Sequence, residues 1–260
     1  MTVWITGASS GIGEACALRY AELGYRIILT ATRADRLKEV AAACRAAGAK
    51  AVMALPYDLV EPGGIRHLVR QAWDVYDGID IVFLNAGISQ RTNVEGTSMR
   101  MTRTIMEVNY FAPVAIAQTI LPMMIKAGGG HIAVTTSIAG RFGFPLRCAY
   151  SSSKHALYGF FETLQAEYYD QGIRVTLVCP GRVRTNISLN ALDKGGQRHG
   201  QMDPGQDGGL AVDKAAQQIV RAIAKCRREV LIGKGELIMV YIKRFFPGLC
   251  ARLARRIKPM

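Results

Sequence analysis

The chain has 260 residues, half of them hydrophobic, and no low-complexity linker divides it, so a single domain with a large buried core is expected. Six scattered cysteines without a Cys-x-x-Cys pair, and four histidines without metal-ligand spacing, argue against a disulfide framework or a zinc site. Reduced core thiols and histidines at surface or edge positions are expected instead. The net charge of +13 would suit nucleic acid, anionic lipid or acidic substrates, but more than half of the excess follows Cys226, where nine Lys/Arg face only Glu229 and Glu236.

Met1-Thr2-Val3-Trp4-Ile5-Thr6 runs directly into a glycine-rich turn, which leaves no room for a secretory leader and makes a cytoplasmic setting the expectation. From there to about residue 232, short apolar runs alternate with helical patterns, the signature of repeated strand-helix-strand units and an α/β fold with a parallel sheet. Near-continuous apolar runs predict seven strands buried on both faces, at residues 3–6, 26–31, 51–56, 79–84, 131–136, 175–179 and 230–232.

After the first strand, Thr6-Gly7-Ala8-Ser9-Ser10-Gly11-Ile12-Gly13 opens a helix. Its glycines allow a tight turn and close backbone approach, and the first helical amides would point at an anion such as a pyrophosphate. The spacing is Gly-x3-Gly-x-Gly, and an ordinary strand-to-helix turn is the competing reading. About twenty residues on, where an NAD site places an acid for the ribose hydroxyl, the second strand ends in Ala31-Thr32-Arg33. A hydroxyl and a guanidinium suit a 2′-phosphate and so NADP(H); a solvated arginine beside a first-turn Asp35 is the alternative. The third strand leads to Tyr57-Asp58-Leu59, where the carboxylate could accept from an adenine amino group or cap a helix.

Leu84-Asn85-Ala86-Gly87 makes a sharp turn after the fourth strand, and residues 98–126 read as two joined helices broken near Asn109 and Pro113. Asn109 could hold a water through a freed carbonyl or satisfy the break itself. After the fifth strand, Ser137 presents a hydroxyl thirteen residues before Tyr150. In Tyr150-Ser151-Ser152-Ser153-Lys154 the phenol and the ammonium share one helix face, an arrangement in which the ammonium would lower the phenol pKa. Leu157, Phe160, Phe161, Leu164 and Tyr168 continue that helix as an apolar stripe for the core or an interface. The sixth strand ends in Cys179-Pro180-Gly181-Arg182-Val183-Arg184-Thr185, and residues 187–210, rich in Gly, Gln and Asp, suggest a mobile lid over a substrate.

Six such segments at the carboxyl ends of successive strands mark the ligand-binding edge of an open α/β sheet. Together these motifs resemble the short-chain dehydrogenase/reductase family over roughly residues 2–232. The glycine motif matches Gly7, Gly11 and Gly13, the Asn-Ala-Gly motif matches Asn85-Ala86-Gly87, and the catalytic tetrad falls on Asn109, Ser137, Tyr150 and Lys154. The resemblance implies a Rossmann-like doubly wound sheet of strand order 3-2-1-4-5-6-7. It places an NADP(H) cofactor against Gly7, Ser9, Ser10, Gly11, Ile12 and Gly13, against Thr32 and Arg33, and against Asp58 and Leu59. Further contacts fall on Asn85, Ala86 and Gly87, on Tyr150 and Lys154, and on Pro180, Gly181, Val183 and Thr185.

By the same resemblance Tyr150 exchanges a proton with the substrate oxygen, Ser137 polarises the carbonyl, Lys154 holds the nicotinamide ribose and Asn109 holds a relay water. Donors aimed where negative charge develops fit that chemistry. The implied reaction interconverts carbonyl and hydroxyl on an apolar small molecule; a 3-oxoacyl-thioester reductase and a non-catalytic NADP(H)-sensing module are the alternatives. Leu84 departs from a family pattern that often has a second Asn there, and Ser10 stands where some NADP-dependent members carry a basic residue, leaving Arg33 as the main 2′-phosphate contact. Homodimers or homotetramers through the two long helices are implied as well. The tail, residues 233–260, reads as a basic apolar helical extension too short and interrupted to span a bilayer. It would lie on an anionic membrane, over its own pocket, or on a second subunit. No recognition helix or RNA-binding motif supports a nucleic-acid partner.

Overall fold

Strands form where the apolar runs lie, each within two residues of its expected ends: β1 (Thr2–Thr6), β2 (Arg26–Thr30), β3 (Ala51–Ala54), β4 (Ile81–Leu84), β5 (Gly130–Thr135), β6 (Ile173–Pro180) and β7 (Glu229–Ile232). In this computed structural model, which describes residues 1–257, they make one parallel sheet of order β3-β2-β1-β4-β5-β6-β7. Lys258, Pro259 and Met260, the end of the expected C-terminal extension, lie outside the described residues.

The helices are α1 (Gly11–Glu22), α2 (Ala34–Ala46), α3 (Ile65–Val75), α4 (Met99–Met106), α5 (Ala112–Lys126), α6 (Cys148–Tyr168), α7 (Pro204–Asp207), α8 (Val212–Ala224), α9 (Ile238–Phe245) and α10 (Pro247–Ala254). Side chains on a strand alternate between faces, so a sheet covered on both sides needs apolar residues at every position. Val3, Ile5, Ile27 and Leu29 face a core shared with α1, α2 and α8, whereas Trp4, Ile28, Val82 and Leu84 face one shared with α3, α5 and α6. Of the stripe on α6, Leu157, Phe161 and Leu164 are buried, and Phe160 and Tyr168 pack at its edge. A third, smaller cluster joins Phe142, Cys179 and Cys250 to the inner sides of α9 and α10.

Two local differences from the sequence expectation have physical causes. The expected break within residues 98–126 is a π-turn, Glu107–Phe111, that joins α4 to α5 without interrupting the helix. Pro113 has no N–H to offer the carbonyl of Asn109, and the Ala112 N–H bonds to Glu107 instead. This 28-residue helical run is long and apolar enough to cross a membrane, yet Ala112, Ile116, Ile120 and Met124 are buried against the sheet, which makes it a core helix. The second difference is His131, expected at a surface or edge position but buried in β5. Its Nε2 lies 2.8 Å from Thr176 Oγ1, whose own proton goes to the Arg227 carbonyl, so Nε2 is the protonated nitrogen. Burial, with Arg174 nearby, pushes the imidazole down to about 4 and keeps it neutral. Among the cysteines, all six are free and Cys226 is exposed rather than in the core.

Candidate active site

At the end of β1 the chain turns through Gly7 and Gly11, whose φ angles of 65° and 59° favour glycine. A Cβ on Gly13 would lie 2.3 Å from the Gly7 carbonyl oxygen, so α1 can pack this closely against the turn only with glycine there. The N-cap of α1, Ser10, makes no side-chain capping bond, and the first amides of the helix stay available to an anion. The turn is held by its neighbours: Thr6 Oγ1 accepts from the amides of Asn85 and Ala86 at 3.0 and 3.2 Å. Asn85 Nδ2 donates to the Thr6 carbonyl at 3.3 Å, and Thr135 Oγ1 donates to Asn85 Oδ1 at 3.1 Å. Asn85 thus ties the tips of β1, β4 and β5 together. Arg33, exposed at the rim, donates from Nη2 to the carbonyl and hydroxyl of Ser9, both at 3.3 Å. Asp58 Oδ1 accepts from the Val60 amide at 3.1 Å, a turn bond two residues on rather than the cap of a helix.

Helix α6 begins two residues before Tyr150 and presents Tyr150 and Lys154 one turn apart. Lys154 Nζ donates to the Thr135 carbonyl at 2.7 Å and lies 5.9 Å from the centre of the Tyr150 ring. Ser137 Oγ accepts from the Ala139 amide at 3.1 Å and donates to the Pro180 carbonyl at 3.3 Å. Asn109, fully buried, uses its side chain to hold the loop after β4: Oδ1 accepts from the Ile88 amide at 2.8 Å, and Nδ2 donates to the Ile88 carbonyl at 2.9 Å and to Ser153 Oγ at 3.0 Å.

Burial raises the Tyr150 phenol above its ordinary value; Ser137, Arg147 and Arg91 pull it down. Lys154, expected from the sequence to lower the phenol, is not among its strongest influences. Lys154 is itself buried and pushed down to about 7, so near neutrality it carries only part of a charge.

These groups share one cavity of about 350 Å³. Gly7, Ser9, Ser10, Gly11 and Ile12 line it at one end, with Thr32, Asp58 and Leu59 beyond them. Asn85, Ala86 and Gly87 form its middle, and Ser137, Tyr150 and Lys154 the opposite end, beside Pro180, Gly181, Val183 and Thr185. Three candidates stand behind or outside the wall: Gly13 under the turn, Arg33 at the rim and Asn109 beneath the loop. The glycine cradle and uncapped amides fit a dinucleotide phosphate, so the residues present suit a nicotinamide cofactor.

Sequence reasoning passed over a polar group beside this site. Gln90, fully buried, accepts from the Tyr150 amide at 3.2 Å and donates to Thr97 at 2.8 Å, fixing the start of α6. Asp203, in the expected lid, takes a bidentate bond from buried Arg91, Nη2 to Oδ2 at 2.6 Å and Nε to Oδ1 at 3.0 Å, and another from Arg147 at 2.7 Å. Burial holds Arg147 down to about 10. Bridges from Gln90 to Leu192 and from Val183 to Leu210 tie residues 187–210 further to the cavity wall. The dense polar run Ser89-Gln90-Arg91-Thr92-Asn93 was the available signal, but it reads equally as a solvated loop.

The family model for short chain dehydrogenases matches residues 1–194. Dehydrogenase/reductase SDR family member 7B of Bos taurus is 37% identical over 257 residues, covering 96% of this chain and 79% of the relative. The SDR family protein 7-like of Drosophila melanogaster is 38% identical, with 95% and 77% covered. Among solved structures, a short-chain dehydrogenase/reductase from Burkholderia phymatum in complex with NAD superposes with TM-score 0.84 at 24% identity, covering 100% and 96% of the two chains. A short-chain dehydrogenase from Sphingobium yanoikuyae in complex with NADPH gives 0.79 at 26%, covering 99% and 96%. With its sheet order, its glycine turn and these relatives, the chain belongs to the short-chain dehydrogenase/reductase family of oxidoreductases.

Proposed function

We propose that the protein is an NADP(H)-dependent oxidoreductase that interconverts a carbonyl and a hydroxyl on an apolar small molecule, with Tyr150 as general acid/base. The observation that carries this reading is the convergence of Tyr150, Ser137 and Lys154 at the far end of a cavity that starts at the glycine turn. The bound nicotinamide would supply or accept the hydride. Tyr150, its phenol raised by burial, holds a proton at neutral pH and can give it to the oxygen on which charge develops. Ser137 lines the same wall, and its hydroxyl, turned away from the Pro180 carbonyl, can donate to the oxygen where that charge develops. Lys154, anchored on the Thr135 carbonyl, would hold a ribose hydroxyl of the cofactor, and Asn109 orders the loop after β4.

NADP(H) rather than NAD(H) is supported by the tip of β2, where Thr32 and Arg33 stand without an acid and the guanidinium overlies Ser9. An apolar part of the substrate is supported by a second compartment of about 300 Å³ next to Ser137, where Ile138, Phe142, Phe144, Met239 and Ile257 face Arg147, Arg182, Asp203 and Glu236. The exposed free thiol of Cys226 suits a reducing, cytoplasmic setting. The half-exposed Phe111 before α5 and the edge of α6 would form a homodimer or homotetramer contact, which light scattering of the purified chain tests.

A panel of apolar ketones followed by NADPH absorbance tests the activity; no ketone-dependent NADPH consumption across the panel contradicts it. Arg33→Ala should weaken NADPH binding about ten- to a hundredfold and leave NADH binding nearly unchanged. An equal loss for both cofactors removes the 2′-phosphate contact.

A further inference from the structure

At the β7 edge of the sheet a second cleft, of about 1060 Å³, opens between α8 and α9 and shares no lining residue with the cavity of Tyr150. Its walls are cationic. Arg221, Lys225, Arg227, Lys243 and Arg244 line it, and none of them pairs with a carboxylate among the described residues. The one carboxylate in the wall, Glu229, is taken by Arg141 at 2.7 Å and by the Tyr158 hydroxyl at 3.0 Å. Glu236, the other acid of the tail, accepts from the backbone amides of Arg182 and Lys234.

Helix α9, which forms one side of the cleft, is apolar on two faces. Met239, Val240 and Ile242 pack inward on Phe142, Cys179 and Leu231. On the opposite side Ile238, Tyr241 and Phe245 are 58%, 53% and 69% exposed, and Phe246 and Leu249 extend the bare patch toward α10. Packing on its own domain explains the inner face only; a helix with large apolar side chains on the solvent side as well calls for a second contact. Eight residues are too few to cross a bilayer. A two-fold contact with another copy would set the same cations against themselves. An anionic lipid surface satisfies both features at once, since aromatic side chains enter the interfacial layer while lysine and arginine meet phosphate.

We propose that α9 and α10 lie in the headgroup layer of an anionic membrane, with Tyr241, Phe245 and Phe246 entering the interface and the cationic cleft seating a lipid phosphate. The proposal is independent of the catalytic reading, because none of these residues touches the Tyr150 cavity.

Co-sedimentation of the full chain with phosphatidylcholine vesicles, with and without phosphatidylglycerol, tests it. Binding is expected to the anionic vesicles only and to weaken as salt is raised. Lys243→Glu with Arg244→Glu should reduce it about tenfold or more. Tyr241→Ser with Phe245→Ser should also reduce it, and unchanged NADPH binding by both variants would show that each is folded. Equal binding to neutral vesicles, or undiminished binding by the Lys243/Arg244 variant, overturns the proposal. So does an inorganic phosphate complex, detected calorimetrically, with no vesicle binding, since that assigns the cleft to a free anion. Self-association lost in the Tyr241/Phe245 variant without any vesicle binding overturns it too, by assigning the patch to a second copy.

Discussion

Tyr150 is pulled two ways, up by burial and down by Ser137, Arg147 and Arg91, and burial prevails. Under the proposed role, reduction needs the phenol protonated, as a raised pKa favours through the neutral range, and oxidation needs the phenolate and should gain rate as pH rises. Profiles of kcat/KM against pH in both directions are therefore expected to diverge, and an oxidation rate already level below neutrality would contradict this assignment. His131 makes a separate prediction. Its folded value, about 4, lies below its unfolded 6.5, so between these pH values the unfolded chain binds a proton that the native chain refuses. Stability should fall by about 3 kcal/mol as pH drops through that window, as read by urea denaturation, and His131→Asn should flatten the slope. That Tyr150, Lys154 and Ser137 come together was legible because each sits at a strand end or a helix start, where local spacing sets its position. Gln90 and Asp203 were not, because each acquires its role from a partner 60 or 112 residues away.

At the scale of elements, the lid expected over residues 187–210 is anchored by one carboxylate shared between two arginines. Asp203→Asn would leave buried Arg91 and half-buried Arg147 with their charges uncompensated, at a cost of about 3–5 kcal/mol. Chemical denaturation should show that loss, and hydrogen exchange should rise first in residues 187–210; an unchanged denaturation midpoint would mean that the pair is not holding the lid. Phe161, fully buried where α6 meets the sheet, makes a second test: Phe161→Ala should cost about 3–5 kcal/mol in the same assay. Strands were readable because burial on both faces leaves an unbroken apolar run, as in Val3-Trp4-Ile5, whose alternate residues serve two different cores. The π-turn was only half readable: Pro113 announces that a bond is missing, but not that the helix continues past it.

The whole molecule is arranged by one reversal of strand order. Strands β1 and β4 are neighbours in the sheet although two strands separate them in the chain, and at their carboxyl ends the glycine turn meets Asn85, with Ser137 and α6 alongside. Remote segments thereby become one site, and for this reason the seven apolar runs in their order conveyed more about function than any single motif. The C-terminal helices add what pattern alone left open: their inner faces close the compartment beside Ser137, while their outer faces stay bare. Central to the account is proton transfer by Tyr150 in an NADPH-dependent carbonyl reduction, and single-turnover NADPH oxidation by Tyr150→Phe with an accepted ketone measures it. Removing the hydroxyl should slow the step by about 10²–10⁴-fold while the variant still binds NADPH with nearly native affinity. Turnover equal to the unaltered enzyme would contradict the account.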